Sequence, residues 1–579
     1  MKILLVAINA KYIHSNPAVY SLKAYAREYA AYTETAEYTI NHRTEMILQE
    51  IYKRQPDVLL FSCYIWNIAY VCEIAKEMHK LRPDLPIWAG GPEVSYESRL
   101  FLEQHPEFRG VIRGEGEETF RQLCSHYMDG PDLNQVKGLI FRNSRKELME
   151  TPHREPLSMD ELPFFYEHLE NWENRIIYYE TSRGCPFSCS YCLSSIEKNL
   201  RFRRLSLVYR ELAHFLLERV PQVKFTDRTF NCNHEHALSI WRFLKEHDNG
   251  VTNFHFEIAA DLLTKEELEL LATLRPGLVQ LEIGVQSANK ATLKEVCRIT
   301  DLQRLETAVK RLKEAGNVHL HLDLIAGLPL EGLESFQESF DRIYRLHPHQ
   351  LQLGFLKVLK GSRMYEKRKD YGILHQDAPP FEVLATDWLS YEELMCIKRV
   401  EEMLEVYYNS GQFGMTMRVL EEAFDSPFEL FYRLGEFYDQ KRLFFLSHSR
   451  MRRCEILLDF IEETGGPRAL YQETLTFDLY SRERMKSRPV WAACWQEWQG
   501  ASRRICGKKN AHLEGFYFDF TRLLQRSQKG YPRRKDKRQF YLFSYDERDP
   551  ITGQAAVIPI EPEEMTNDKT HQRDPGTAG

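Results

Sequence analysis

No stretch of the chain approaches the ~20 consecutive apolar residues that a membrane-spanning helix requires. Its opening "MKILLVAIN" passes straight into polar "AKYIHSNPA", without a basic n-region, a long apolar core or a small-residue cleavage site, so no secretory leader is expected. Charge of one sign is not in excess either. Against 77 Lys and Arg stand 84 Asp and Glu, a formal charge of -7 over 579 residues, which gives no general reason to expect a polyanionic partner. Internal repeats of solenoid period are missing. Together these absences predict a cytoplasmic protein without membrane contact. There thiols stay reduced, and clustered cysteines point to metal or catalysis rather than disulfides.

What is present divides into regions. From 1 to 150, "KILLVAIN", "AEYTIN", "DVLLFSCYIW", "PIWAGGPEV" and "GVIRGEGE" read as strands, separated by amphipathic stretches such as Asn67 to Arg82, with Ile68, Val71, Ile74, Ala75, Met78 and Leu81 at helical spacing. Such alternation predicts an α/β fold with a doubly wound parallel sheet. Residues 151–175, containing "MDELPFFYEHLENWENR", suit a linker. A second alternating series fills 176–374: "RIIYYETS", "QVKFTDRTF", "NFHFEIAA", "GLVQLEIGVQS", "VHLHLDLIAGLP" and "HQLQLGFLKVLKG". Six strands, each followed by helical sequence, predict a partial (β/α)6 barrel. From 375 to 563 the pattern becomes mainly helical, with a late hairpin in "QFYLFSYDERDPITGQAAVIPI". Residues 564–579 are polar enough to expect disorder.

Within this frame "ETSRGCPFSCSYCLSS", Glu180 to Ser195, sets Cys185, Cys189 and Cys192 on one short loop at the carboxyl end of the first barrel strand, where active sites of such folds gather. Cluster ligation normally uses four cysteines, so three leave one iron open to a small chelating ligand. Zinc is the competing reading, but a tetrahedral structural site wants a second paired motif, and none stands out. The other cysteines, among them Cys63, Cys72, Cys124 and Cys232, have no ligand spacing.

The motif C-x3-C-x-aromatic-C, matched by Cys185, Cys189, Tyr191 and Cys192, resembles that of the radical S-adenosylmethionine enzymes. The resemblance implies a 4Fe–4S cluster held by the three cysteines, with S-adenosylmethionine on the open iron and its one-electron cleavage to a 5′-deoxyadenosyl radical. "LEIGVQS" resembles a fourth-strand motif of the coproporphyrinogen-oxidase and methylthiotransferase branch, which gives Glu282 to the ribose hydroxyls with Gln286 beside it. "DLIAGLP" resembles a fifth-strand motif in which Gly327 shapes a turn beneath the cofactor. The chain departs from the family at the second strand, where "TDRTFN" replaces a Gly-Gly-Glu type sequence. Asp227 is the expected substitute acceptor for the methionine amino group.

"WAGGPEVS" and "VIRGEGEETF" resemble strand ends of the cobalamin-binding domains that precede such barrels. The resemblance implies cobalamin contacts from Asn9, Tyr12, Ser62, Gly90, Gly91, Glu93, Gly114 and Glu115, at the strand ends where doubly wound sheets bind ligands. Gly90 and Gly91 are expected to let a nucleotide tail approach backbone. The D-x-H-x-x-G motif of cobalamin mutases is missing, so a lower-ligand histidine is not expected, and His14 reads as a hydrogen-bonding loop residue.

The expected protein is thus a cobalamin-dependent radical S-adenosylmethionine enzyme of the class B methylase type, methylating an unactivated carbon of a small molecule through the deoxyadenosyl radical and methylcobalamin. It would draw electrons from a flavodoxin- or ferredoxin-type reductant. Alternatives are a methylthiotransferase acting on tRNA or protein, a radical cyclase or rearrangement enzyme, and a non-catalytic cobalamin or Fe–S sensor. Nucleic acid is not favoured as a partner: "KGYPRRKDKRQF", with Lys529, Arg533, Arg534, Lys535, Lys537 and Arg538, reads as a solvated loop before the hairpin, though basic residues interleaved with aromatics suit phosphate backbone. Arg201, Arg203 and Arg204 read either as an exposed basic face or as contacts to a cofactor or substrate. If the two cofactor sites sit on separate sheets, removing everything before residue 160 is expected to leave the barrel able to hold its cluster.

Overall fold

The computed structural model describes the chain except residues 129, 493–495, 508–509, 525–530, 562–564 and 566–579, and the side chain of residue 171. The tail expected from 564 therefore lies outside the described residues, Met565 apart. Two compact units emerge: residues 1–336 with 353–394, and 337–352 with 395–579.

The first sheet of unit 1 contains β1 (Ile3–Asn9), β2 (Thr33–Thr39), β3 (Val58–Ser62), β4 (Ile87–Gly90), β5 (Gly110–Ile112), β6 (Leu139–Arg142) and β7 (Leu148–Glu150), in the order β2-β1-β3-β4-β5-β6-β7. β1 to β5 pair in parallel. β1 is buried at all seven positions because helices cover both faces: Leu4, Val6 and Ile8 enter one core, Ile3, Leu5 and Ala7 the other. The helix Ile68–Leu81 buries Ile68, Val71, Ile74, Ala75 and Met78 as its spacing predicts, whereas Leu81, at its end, is exposed. The antiparallel extension β6–β7 was not legible, because its turn carries the polar run Asn143 to Glu147 and its strands are short.

The second sheet is the six-stranded partial barrel: β8 (Ile177–Tyr179), β9 (Gln222–Phe225), β10 (Asn253–Ile258), β11 (Val279–Gln286), β12 (His319–Ala326) and β13 (Gln350–Phe355), in sequential order. On β11 the apolar Val279, Leu281, Ile283 and Val285 are fully buried, and the polar residues between them are only partly so. These alternate positions meet across the sheet: the register sets Lys224 beside His255, Glu257 beside Glu282, and Glu282 beside His321.

Unit 2 contains helices such as Pro427–Gln440, Arg450–Glu463 and Arg468–Arg482. It also holds an antiparallel sheet of β14 (Ala511–Asp519), β15 (Arg533–Arg548) and β16 (Ala555–Ile560). β14 went unread because its "AHLEGFYFD" does not alternate cleanly.

Candidate functional site

Asn9, Ser62, Gly90, Gly91, Gly114 and Glu115, at the carboxyl ends of β1, β3, β4 and β5, line one cavity of about 790 Å3. Its far wall comes from the barrel and from Leu162 to Tyr166 of the linker, and it reaches Gly184 and Ser194 on either side of the three cysteines. The rim of β1 is tightly built. Asn9 Nδ2 donates to the His14 carbonyl at 3.1 Å and to Glu37 at 3.0 Å, while Asn16 caps the helix Pro17–Tyr25 and donates to Ser62 Oγ at 3.0 Å.

Gly91 lines the cavity and also serves the packing of the strand ends: at φ +116° its missing Cβ would lie 2.4 Å from the Cys63 carbonyl oxygen. Gly114 is the open one: at φ +72° nothing stands within 4 Å of where a Cβ would be. Tyr12 and Glu93 do not line the cavity. Tyr12 is exposed, with the Arg175 guanidinium 5.8 Å from its ring centroid. Glu93 lies off the wall, where burial, partly offset by Lys360, pushes its carboxyl up to about 7.

Glu115 is committed elsewhere. Its carboxylate pairs with Arg201, stands 3.4 Å from Arg183 and accepts from Leu157 N at 3.1 Å. Arg183 also holds Glu117 at 2.7 Å and Glu180 at 2.9 Å. Two residues before Cys185, one guanidinium thus ties both sheets together. Arg203 makes a buried two-point pair with Glu211 at 2.6 and 2.9 Å, and Arg204 an exposed one with Asp160 at 2.9 Å. His14 Nδ1 lies 2.5 Å from Tyr178 OH, a contact between the rim of β1 and the first barrel strand; burial, then Lys11 and Lys224, lowers its pKa.

The cysteine loop is fastened at several points. Cys185 N donates to Glu197 O at 3.0 Å and Ser190 N to Val296 O at 2.9 Å. Gly184, at φ +94°, lets the Asn199 carbonyl come within 2.7 Å of where a Cβ would sit. Cys185 and Cys189 are buried and Cys192 half-buried. Burial raises the Cys185 thiol, and Cys189 and Cys192 are close enough to add to the shift. Among the described residues no three Cys, His, Asp or Glu side chains converge on a single ion.

Of the other predicted residues, Asp227 does not reach the cavity. It is buried, accepts from Thr181 N at 3.0 Å, Thr181 Oγ1 at 2.6 Å and Ser182 Oγ at 2.6 Å, and so anchors the approach to the cysteines. Burial lifts its carboxyl to about 6 against these bonds. Glu282 lies within the barrel strands, 3.0 Å from Lys224 Nζ and 2.9 Å from His255 Nε2. Burial works against its charge, but these two partners hold it down to about 2. Gln286, at φ +73°, folds its amide over Gly284, and Gly327, at φ +89°, leaves room for Val383. Tyr191, Asp227, Glu282, Gln286 and Gly327 all lie off the cavity wall.

Sequence reasoning missed several neighbours. Arg298 sits 3.7 Å from Cys189 Sγ and 3.5 Å from Tyr191 OH and also donates to the Gly284 carbonyl. Glu257, on β10, is pushed up to about 7 by burial, with Arg228 opposing. The stacked pair Tyr64 and Trp66, 4.4 Å apart, lines the cavity beyond β3. No local motif marks any of them.

With this geometry in view, three domains are recognised in the sequence: a B12 binding domain over residues 3–124, a radical SAM superfamily domain over 179–343, and a region described as a protein of unknown function, DUF4080, over 369–529. The chain is 26% identical over 329 residues to an uncharacterised methyltransferase of Pyrococcus horikoshii, covering 55% of this chain and 71% of that one. It is 27% identical over 360 residues to the cobalamin-dependent radical SAM methyltransferase TokK of Streptomyces tokunonensis, covering 55% and 50%. An anaerobic magnesium-protoporphyrin IX monomethyl ester cyclase of Rubrivivax gelatinosus is 24% identical over 315 residues, covering 51% and 55%. The chain thus spans about half the length of these last two. Among solved structures, the cobalamin-dependent S-adenosylmethionine radical enzyme OxsB matches with a TM-score of 0.58 and 16% identity over 82% of this chain and 78% of that one, a likeness of fold.

Proposed function

Since the chain carries a B12-binding domain and a radical SAM domain in tandem, with an additional DUF4080 region after them, we propose that it is a cobalamin-dependent radical S-adenosylmethionine methyltransferase acting on an unactivated carbon of a small molecule. The observation that carries this is the single cavity walled by the strand ends of both sheets and reaching the cysteine loop. Cys185, Cys189 and Cys192 would hold the 4Fe–4S cluster, and Asn9, Ser62, Gly90, Gly114 and the aromatic pair Tyr64 and Trp66 would border cobalamin. When bound, these groups supply the electron that cleaves S-adenosylmethionine and the methyl carrier, chemistry that acid–base side chains do not provide.

The chain's own residues hold and shield. Asp227 and Arg183 fix the segment leading into the cysteines, and Arg298 places a cation against Cys189 and Tyr191. Glu257 and Glu282 offer carboxylates to hydroxyl or amino groups. The linker aromatics Phe164, Phe165 and Tyr166 form part of the cavity wall and offer apolar surface to a bound cofactor or substrate. A small flavodoxin- or ferredoxin-type protein is the proposed electron source.

Anaerobically reconstituted protein is expected to bind about four iron and four sulfide per chain, to take up hydroxocobalamin, and to form 5′-deoxyadenosine from S-adenosylmethionine. Replacing Cys185, Cys189 and Cys192 together by Ala should abolish the first and last. During methylation 5′-deoxyadenosine and S-adenosylhomocysteine should accumulate equally. Deoxyadenosine alone, from a product with no added carbon, would favour the cyclase reading that the Rubrivivax relative supports.

A further inference from the structure

Four arginines line the cavity, and three are spent on neighbouring carboxylates. Arg183 holds Glu115, Glu117 and Glu180; Arg201 pairs with Glu115; Arg203 clamps Glu211. The fourth is Arg228, just past the end of β9. It is the exposed one of the four, and its guanidinium makes no hydrogen bond or ion pair among the described residues. Its backbone is not loose: Asp227 on one side is bonded to Thr181 and Ser182, and Thr229 on the other lies 3.9 Å from Cys185 Sγ. A fixed backbone thus presents a cation free of hydrogen bonds and ion pairs, among the described residues, on the wall of the cavity that reaches the cysteine loop.

We propose that Arg228 is the anchor for an anionic group, a carboxylate or phosphate, carried by the small molecule that the cavity accepts. The inference rests on the reading of the cavity as a substrate site and adds the class of substrate to it. A guanidinium presents a planar fork of donors that matches both anions at two points. The nearest charges do not fill that role. Glu180 already accepts from Arg183 at 2.9 Å, and Glu257 acts on Arg228 only through space. Arg228 acts on Tyr64 as well as on these two carboxylates, and elsewhere the same cavity wall carries the linker aromatics Phe164 and Phe165. The substrate that fits has an apolar body and one anionic end. That end would fix which carbon faces the cysteine loop, making Arg228 a determinant of where on the molecule reaction occurs.

S-adenosylmethionine carries a carboxylate too, so the test must separate the two sources. Phenylglyoxal modifies free guanidinium groups. On the full chain as purified, peptide mapping is expected to show Arg228 modified at least about fivefold faster than Arg183, Arg201 and Arg203, whose donors are engaged. Phenyl phosphate and benzoate, each an apolar ring with one anionic end, should slow modification of Arg228 at least about threefold at millimolar concentration. In reconstituted protein R228Q should leave the affinity for S-adenosylmethionine within about threefold of wild type while abolishing measurable phenyl phosphate binding by calorimetry. R228K, keeping charge without the fork, should bind it more weakly than wild type and better than R228Q. The proposal is overturned if neither probe protects Arg228, or if S-adenosylmethionine alone protects it and R228Q weakens that cofactor at least about tenfold. Absence of a cluster or of S-adenosylmethionine cleavage in the wild type would instead sink the enzymatic reading and leave the footprint to be judged by itself.

Discussion

Gly91 and Gly114 share a left-handed backbone and differ in what surrounds them. A Cβ at Gly91 would fall 2.4 Å from the Cys63 carbonyl, and backbone there cannot yield as a side-chain tip can. A residue forced into that region costs on the order of 1–3 kcal/mol before any clash. G91V is therefore expected to shift the β3 and β4 strand ends apart and to weaken hydroxocobalamin binding at least about tenfold, a loss of ~1.4 kcal/mol, in a titration followed by absorbance. G114A meets open space and bears only backbone strain, about 1 kcal/mol. It should unfold slightly earlier in urea and keep most of its cobalamin affinity. Equal loss from both variants would mean that Gly114 too is packed against something, contrary to the structure.

Elements were legible where pattern is local. The six barrel strands announce themselves as apolar runs at regular spacing, and the cysteine motif is complete within eight residues of one loop. What fixes that loop was hidden, because Arg298 stands 109 residues from Cys189 along the chain and Asp227 46 from Thr181. A similar distant cap occurs in unit 2. The helix Gly414–Leu420 has no side-chain cap of its own, and its first amides donate to Asp478 on the helix Arg468–Arg482, Met415 N at 2.7 Å and Thr416 N at 2.9 Å. Burial raises that carboxyl to about 7 despite these bonds. For an acid whose pKa is raised by folding, the stabilisation is complete below the unfolded value near 4 and is lost as pH climbs through about 7. At 1.36 kcal/mol per unit the full swing is on the order of 4 kcal/mol. Hydrogen exchange of the peptide 414–420, corrected for intrinsic rate, should thus show greater protection at pH 5 than at pH 8. D478N, neutral throughout, should lose that difference and lower protection at both. A wild type equally protected at the two pH values would show that Asp478 does not titrate in this range.

At the scale of the whole molecule, the expectation that the barrel would hold its cluster without the first 159 residues leaves out the ion pairs that tie the two sheets of unit 1. Alternation in the sequence reveals two sheets but not what crosses between them. Arg183, two residues before Cys185, draws two of its three carboxylate partners from the first sheet's strand ends, Glu115 and Glu117, and Arg201 shares Glu115. Further fastening comes from Ile176 N, which donates to Ile13 O at 2.8 Å, and from Tyr178 against His14. Deleting the first domain takes Glu115 and Glu117 from Arg183, which keeps Glu180, and Glu115 from Arg201, so the segment leading into Cys185 loses most of its fastening. A fragment beginning at residue 160 is therefore expected to take up well under half the iron of the full chain on reconstitution. In the full chain, E115Q with E117Q should reproduce part of that loss while cobalamin still binds, because the strand-end backbone is untouched. R183M added to that pair should recover iron content, since a largely buried cation left with Glu180 alone is then replaced by apolar volume. No recovery would mean that the two carboxylates act on the cysteine loop through something other than the charge they leave on Arg183. A fragment loading its full complement of iron would instead show that the cysteine loop stands without support from the first sheet.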